Sequence, residues 1–210
     1  SFDPKKLEKL FTEKSSVKGK WNAKGWCLNK SLLILGQGPS LEKKENINKI
    51  KDFILKTKCI VLSININNFI PNYLIDFYIA SNETRISVDS AKYNNLSKKI
   101  IVPELKLKKI KKDYKKINYL DYGVTLKNNL FKHSNNYAIL PHNLTFGYAM
   151  AVALEGQSKD ITIAGFDGYK KNQLQQIEMQ KTINLILQNN KNLNLNSLTP
   201  TKYTLNRRQT

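Results

Sequence analysis

Ser31-Leu-Leu-Ile-Leu-Gly-Gln-Gly-Pro-Ser40 is the stretch of sequence that decides the fold. Its apolar run Leu32–Leu35 is short enough for a strand buried on both faces, and it ends in a glycine-bearing turn. The glycines permit a close backbone approach to a ligand, and Ser40 is placed to cap a following helix, whose N-terminus favours an anion. The turn lacks the further residues of a dinucleotide fingerprint or a Walker loop. The stretch therefore predicts a strand, a turn and a helix, with the turn either a ligand site or an ordinary connection.

Beyond this stretch, short apolar runs alternate with segments of helical spacing. Strands are predicted at 59–64, 75–80, 100–102 and 161–164, with weaker signals at 117–120 and 193–198. Helices are predicted over 41–56, 89–96, 144–155 and 173–188. This alternation predicts an α/β fold of Rossmann-like type, with a mostly parallel sheet and helices on both faces. Ligands of such sheets bind beyond the carboxyl ends of the strands, here at 36–40, 63–68, 80–85 and 165–169.

The chain on either side of this pattern is predicted to lie outside the sheet. Residues 4–14 have helical spacing, and 15–30 read as a polar linker whose Trp21 and Trp26 pack onto the domain. We expect three parts: an N-terminal helix and linker at 1–30, a Rossmann-like nucleotide-binding domain at 31–203, and a tail at 204–210.

A lysine-rich segment interrupts the predicted domain. Lysine is densest at 106–116, which is predicted to be an exposed helix or a mobile loop. The whole polar stretch 104–140 is interpreted as a lid over the site or as disorder, because long segments without regular structure have either explanation.

The composition is strongly basic, with a formal net charge of +19. Only three of the 35 basic residues are Arg, the residue on which bidentate recognition of phosphates and base edges depends most. The charge therefore favours a lysine-rich solvated surface, and nucleic-acid binding stays a less favoured alternative.

Several classes of protein are disfavoured by composition. No run approaches the roughly 20 apolar residues of a membrane span, and the charged N-terminal residues lack the centre of a signal peptide. Cys27 and Cys59 are too few for a disulfide framework or a zinc site. We expect a cytoplasmic protein with no membrane span, no metal site and no cofactor.

Polar residues follow the other predicted strands. Asn65 and Asn82 can each read a base or a ribose through paired donor and acceptor atoms, or can simply form caps and turns. Asp167 is interpreted as a ligand for a hydroxyl or a metal, or as part of a turn. Tyr169 is placed to stack on a ring or act as an acid or base, and His142 is either catalytic or an ordinary loop residue.

Taken in order, these segments resemble two related groups of proteins. One is the bacterial sialyltransferases of the Campylobacter type, which use a CMP-linked donor in a variant Rossmann-like fold. The other is a domain fused behind the barrel of 4-hydroxy-2-oxovalerate-type aldolases. The shared segments are Gly36–Leu41, Asn65, Asn82, Thr145-Phe-Gly147 and Gly165-Phe-Asp-Gly-Tyr169. The aldolase-fused domain is the closer match, through Gln176–Met179 and Ser197–Tyr203, and archaeal pterin diphosphokinases share the opening turn.

The resemblance implies a nucleotide site and two candidate catalytic side chains, Tyr169 and His142. The implied nucleotide-binding residues are Gly36, Gln37, Gly38, Pro39, Ser40, Asn65, Asn82, Thr145, Gly147, Gly165 and Asp167. Three departures stand out: Gln37 replaces the usual Asn, no His follows His142, and a second active-site tyrosine cannot be placed. The aldolase barrel with its metal ligands is also absent.

Three hypotheses follow from these observations. The first is a CMP-sugar-dependent glycosyltransferase of bacterial surface-glycan metabolism, related to nonulosonate or sialic-acid chemistry. The second is a non-catalytic module that binds a nucleotide or sugar for an aldolase or synthase partner, which the missing His favours. The third is nucleic-acid binding, which rests on charge alone.

Overall fold

A computed structural model describes residues 18–205, which form five α-helices and ten strands. The helices are α1 (Lys44–Thr57), α2 (Glu83–Tyr93), α3 (Glu104–Ile110), α4 (Thr145–Glu155) and α5 (Leu174–Asn189). The strands are β1 (Ser31–Leu35), β2 (Ile60–Ile64), β3 (Phe77–Ile79), β4 (Ile100–Val102), β5 (Tyr119–Asp121), β6 (Gly123–Leu126), β7 (Lys132–Ser134), β8 (Tyr137–Leu140), β9 (Asp160–Ala164) and β10 (Leu195–Ser197).

Seven strands form the main sheet, in the order β10-β9-β1-β2-β3-β4-β5. All neighbouring pairs are parallel. Central strand β1 pairs on both edges, so that Leu33 lies opposite both Val61 and Thr162. The strand order reverses between β1 and β9, and the carboxyl edge at such a reversal is where open α/β sheets bind ligands. The predicted Rossmann-like α/β fold is confirmed.

The side chains of β1 alternate between two apolar layers. Leu33 and Leu35 contact the layer that contains Ile50, Ile86 and Leu107 of helices α1, α2 and α3. Leu32 and Ile34 contact the opposite layer, which is built from α4, α5 and the second sheet. Each fully buried leucine contributes about 1.5–3 kcal/mol, so the apolar run predicts a strand covered on both faces, as observed.

Three strands form a second sheet, in the order β6-β8-β7. Strands β6 and β8 are parallel, whereas β7 and β8 are antiparallel. This sheet packs against α4 through Val124, Ala138 and Leu140. Residues 104–140 are therefore built into α3 and four strands, and the predicted disorder is wrong.

Several predicted boundaries shift in the structure. Helix α2 begins at Glu83 rather than near residue 89, because Asn82 caps it by accepting a hydrogen bond from the Arg85 amide. Helix α1 begins at Lys44, after a 3-10 turn at Pro39–Glu42. The Lys106 side chain is mostly buried, so that the 106–116 segment is only in part an exposed helix.

The segment before β1 packs onto the domain, as predicted for the linker. The Trp26 indole donates to the Val152 carbonyl at 2.9 Å, and its ring meets Phe77 edge-on at 5.2 Å. The predicted helix at 4–14 lies outside the described residues, as do 15–17 and the end of the tail at 206–210. Among the helices described, none is long and apolar enough to cross a membrane.

Candidate functional site

A cavity of about 670 Å³ opens at the carboxyl edge of the main sheet, where the strand order reverses. Most of the predicted nucleotide-binding residues line it, and so does Tyr169 of the candidate catalytic pair. The predicted residues that line the cavity are Gly36, Gln37, Gly38, Pro39, Asn65, Asn82, Thr145, Gly165, Asp167 and Tyr169. Ser40, Gly147 and His142 are not among the lining residues, so their predicted contact with a ligand has no support in the geometry.

One side of the cavity, residues 36–40 and 165–167, is here called the scaffold wall. The Gly36 amide donates to the Ala164 carbonyl and the Gly38 amide to the Gly165 carbonyl, both at 2.8 Å. The carboxylate of Asp167 accepts from the backbone amide and the hydroxyl of Ser40, both at 2.5 Å. Asp167 therefore holds the turn after β1, as in the turn interpretation, and it also lines the cavity.

The glycines of the scaffold wall are required by close packing. A Cβ atom on Gly38 would lie 2.5 Å from Asp167 Oδ1, where no side chain fits. Gly165 has φ +74, in the left-handed region, and a Cβ there would lie 2.7 Å from Leu41 Cδ1. These glycines let the turns after β1 and β9 pack in contact with each other, and this contact forms the scaffold wall of the cavity.

Another part of the lining, formed by Asn65, Asn82 and Arg85, is here called the polar wall. Asn65 has φ +56, a conformation that Asn tolerates better than most residues, and only 8% of its surface is exposed. Its Oδ1 atom is buried and has no hydrogen-bond partner among residues 18–205. A buried acceptor without a partner costs about 1–3 kcal/mol. Asn65 is thus an uncommitted acceptor on the cavity wall.

Arg85, on the first turn of α2, is the charged residue of the polar wall. Its Nη2 donates to Gln37 Oε1 at 3.0 Å and lies 3.8 Å from the carboxylate of buried Asp89. Gln37 is held in turn because its Nε2 donates to the Ile66 carbonyl at 2.5 Å. Gln37, predicted to touch the nucleotide, therefore also orients a guanidinium that lines the cavity.

Sequence reasoning missed Arg85 as a site residue. The available signal was that it is the sole Arg within the predicted domain 31–203 and lies in the strand-end segment 80–85. Asn82, by contrast, uses its Oδ1 to cap α2 at 3.3 Å from the Arg85 amide, which is the capping alternative for this residue.

An ionic network stands behind the polar wall. Lys106 Nζ donates to the Ser81 carbonyl at 2.7 Å and lies 3.0 Å from Glu83 Oε1. Glu83 Oε2 accepts from Nδ2 of the cavity residue Asn143 at 3.2 Å. Burial alone would raise the pKa of Glu83, but the Lys106 ammonium outweighs it and lowers that pKa. The network fixes Asn143 and the start of α2.

The N-terminus of α4 forms another edge of the cavity. The Thr145 hydroxyl lies 3.3 Å from that of Ser81, and the Phe146 ring meets Phe166 at 5.2 Å between centroids. The first amide groups of a helix favour an anion. Gly147 has a different role, since a Cβ there would lie 3.2 Å from Thr182 Cγ2, on the side of α4 that packs against α5.

Two tyrosines line the cavity. Tyr169 is half exposed, whereas Tyr203 is buried, and burial together with the nearby Tyr169 raises the pKa of Tyr203 to about 12. Sequence reasoning could not place this second tyrosine, although Tyr203 ends the segment Ser197–Tyr203 of the resemblance. His142 lies 3.8 Å from Glu178 Oε1, outside the lining.

No family model matches the chain, and no curated protein matches it. The family resemblance therefore stays a prediction from the sequence. Within residues 18–205, no three His, Cys, Asp or Glu side chains are grouped so that they could hold a metal ion.

Proposed function

We propose that the cavity binds the nucleotide part of an activated sugar, with a CMP-linked sugar as the expected ligand. The observation that carries this proposal is the pairing of Asn65, with its buried acceptor, and the Arg85 guanidinium on one cavity wall at the sheet reversal. An acceptor and a cation at this position suit a molecule that has both a donor group and a phosphate. CMP is expected because the sequence resembles proteins that use CMP-linked donors.

Each part of the ligand has a matching group in the cavity. Arg85 and the first amides of α4 supply the positive potential that a phosphate needs. The amide of the lining residue Asn65, whose Oδ1 has no partner among residues 18–205, is suited to pair with an amino group of the base or a hydroxyl of the ribose. Phe166 adds apolar surface for a ring.

Sugar transfer is the enzymatic form of this proposal. In that reaction an acceptor hydroxyl attacks the anomeric carbon, the bond to the nucleotide phosphate breaks, and CMP leaves. With a pKa of about 12, the Tyr203 phenol keeps its proton at neutral pH and is able to donate a hydrogen bond to the departing phosphate oxygen. The acceptor hydroxyl releases its proton to solvent, and Tyr169 of the cavity lining is the candidate to orient that hydroxyl by a hydrogen bond.

A non-catalytic binding module is the second candidate function, serving an aldolase or synthase partner. The observation that favours it is the position of His142, which does not line the cavity and so offers no obvious general base there. Nucleic-acid binding has no comparable support, because its only basis is the net charge of +19.

Thermal unfolding with nucleotides tests the binding proposal. CMP at about 100 times its Kd adds about 2.7 kcal/mol of stability, which raises the midpoint of a domain of this size by about 5–10 °C. Arg85→Gln is expected to weaken CMP binding about tenfold or more, as loss of a charge-assisted hydrogen bond does. Lys92→Gln is the matched control, because it makes the same change of charge at the other end of α2.

The outcomes separate the hypotheses. A lack of any shift with CMP, CDP, UDP, GDP and a pterin would remove the nucleotide proposal. Equal loss in Arg85→Gln and Lys92→Gln would mean that only overall charge matters. Turnover of a CMP-activated sugar, reduced in Tyr203→Phe, supports the transferase, whereas CMP binding without turnover supports the module.

A further inference from the structure

A second groove, of about 510 Å³, runs beside the nucleotide cavity along the outer side of α5. Tyr169 lines both, so a ligand in the groove lies against the same ring as a ligand in the cavity. The groove is otherwise formed by side chains of α5 and by Lys171 and Lys202. None of these residues belongs to the cavity, which makes the groove a separate space with one shared wall.

The shared wall is held in place from both sides. The Tyr169 amide donates to Gln176 Oε1 at 2.8 Å, and the Lys202 amide donates to the Asp167 carbonyl at 3.0 Å. Gly168, at φ +87, permits this packing, since a Cβ there would lie 2.9 Å from both Gln176 Oε1 and Lys202 Cβ. Tyr169 therefore has a fixed backbone position between the two spaces.

The groove is positively charged and has no compensating carboxylate. Lys171, Lys181 and Lys202 line it, and no Asp or Glu does. All three lysines are exposed, and none forms an ion pair within residues 18–205. Three unpaired ammonium groups around one groove attract an anion.

The remaining surface suits a saccharide rather than a bare ion. The exposed Tyr169 ring and the Ile177 side chain offer apolar area for the face of a sugar ring. Gln180 Nε2 donates to Asn184 Oδ1 at 2.9 Å and Gln180 Oε1 accepts from the Thr204 amide at 2.9 Å, which fixes two amide side chains in the lining. Gln180 Nε2 also donates to the Thr204 carbonyl, so Gln180 serves to orient Asn184, whose amide is suited to hydroxyl groups.

We propose that this groove binds an acidic saccharide, the acceptor that would receive the sugar held in the nucleotide cavity. The proposal rests on the proposed function for the role of the saccharide as acceptor, but binding in the groove itself does not require the nucleotide. Because Tyr169 lines both spaces, an acceptor in the groove is next to a donor in the cavity.

Direct titration tests the groove, with a hyaluronan tetrasaccharide as the acidic probe and N-acetylchitotetraose as the neutral one. Calorimetry or NMR titration on the full chain is expected to show binding of the acidic probe and weaker binding of the neutral one. The variant K171Q/K181Q/K202Q is expected to lose about tenfold in affinity for the acidic probe, as removal of three exposed ion pairs does. Its CMP-induced thermal shift should equal that of the wild type.

The control is K44Q/K51Q/K56Q, which removes the same charge from α1 on the opposite face of the sheet. Equal losses in the two triple variants, or equal binding of the acidic and neutral probes by the wild type, would overturn the proposal. Failure of the nucleotide proposal is seen separately, as a missing CMP shift in every protein, while the groove variant would still lose the acidic probe.

Discussion

The two walls of the cavity differ in what their polar groups are bonded to. On the scaffold wall, the Gly38 amide and the Asp167 carboxylate are bonded to other parts of the same wall, and the Gly36 amide is bonded to the adjoining Ala164 carbonyl. On the polar wall, Asn65 keeps a buried acceptor without a partner in the described chain, and Arg85 donates to Gln37 of the scaffold wall and lies 3.8 Å from the Asp89 carboxylate. The difference teaches that one wall supplies stability and shape, while the other holds the groups available to a ligand.

The largest effect is expected from Gly165→Ala on the scaffold wall. The substitution places a Cβ on a residue at φ +74 and 2.7 Å from Leu41, so we expect a loss of about 3 kcal/mol of unfolding free energy in urea. Gly25→Ala is the matched control, because Gly25 has φ +69 but its nearest neighbour would lie 3.9 Å away. The control should lose only about 1 kcal/mol. Equal losses would mean that packing of the scaffold wall contributes nothing.

Asp167→Asn is expected to have the next largest effect. The two oxygens of Asp167 accept from the backbone N–H and the hydroxyl of Ser40, and the Asn side chain has only one such oxygen. The unfolding free energy should therefore fall by about 1–2 kcal/mol. Affinity for CMP, measured at a temperature where both proteins are folded, should change less than threefold. Asp160→Asn, whose carboxylate makes one exposed contact of 3.4 Å with Ser31, is the control for stability. A large loss of affinity in Asp167→Asn would place this residue with the ligand after all.

The glycine turn illustrates what the sequence could predict and what it left open. The buried strands were predictable because strands covered on both faces are continuous apolar runs, as in Leu32–Leu35. Yet a turn that packs against another turn needs the same glycines as a turn that packs against a phosphate. The ligand role of Ser40 and Asp167 was therefore predicted from a pattern that serves packing equally well.

Other parts of the molecule left only a weak local signal in the sequence. The second sheet was missed because its strands are only three or four residues long, and Lys132–Ser134 has no apolar run. Tyr203 reaches the cavity only because β10 pairs with β9 and brings the following residues to the same edge. Arg85 is presented by a helix that begins six residues earlier than helical spacing alone predicted.

Asn65→Gly is expected to separate binding from stability on the polar wall. Glycine tolerates the φ of +56, and the substitution removes an acceptor without a partner, so unfolding free energy should change by less than about 1 kcal/mol. The affinity for CMP should nevertheless fall about tenfold, the value of one hydrogen bond. Asn129→Gly, at φ +57 on an exposed loop, should change neither quantity appreciably. If Asn65→Gly clearly lowered stability but left the affinity for CMP unchanged, Asn65 would have a structural role and not a binding role.

The smallest effect concerns the ionic network behind the polar wall. The folded pKa of Glu83 is lowered from its ordinary 4.5, so its ion pair with Lys106 stabilises the fold above pH 4.5. This contribution is lost as the pH falls through the lowered pKa. We expect the wild type to exceed Glu83→Gln by roughly 0.5 kcal/mol at pH 7, and the difference to shrink on acidification, as followed by urea unfolding at each pH. A difference that is independent of pH would exclude the ion pair as its source.

The pairing of β1 with β9 affects how the protein folds during translation. β1 is near the start of the described chain, but its second edge is covered only by a strand more than a hundred residues later, at Asp160–Ala164. On the ribosome, this apolar edge stays open until β9 has emerged, and open edges pair readily with other chains. We therefore expect nascent or truncated chains that end before β9 to depend on chaperones. The cavity, which needs both β1 and β9, is completed only after β9 has emerged.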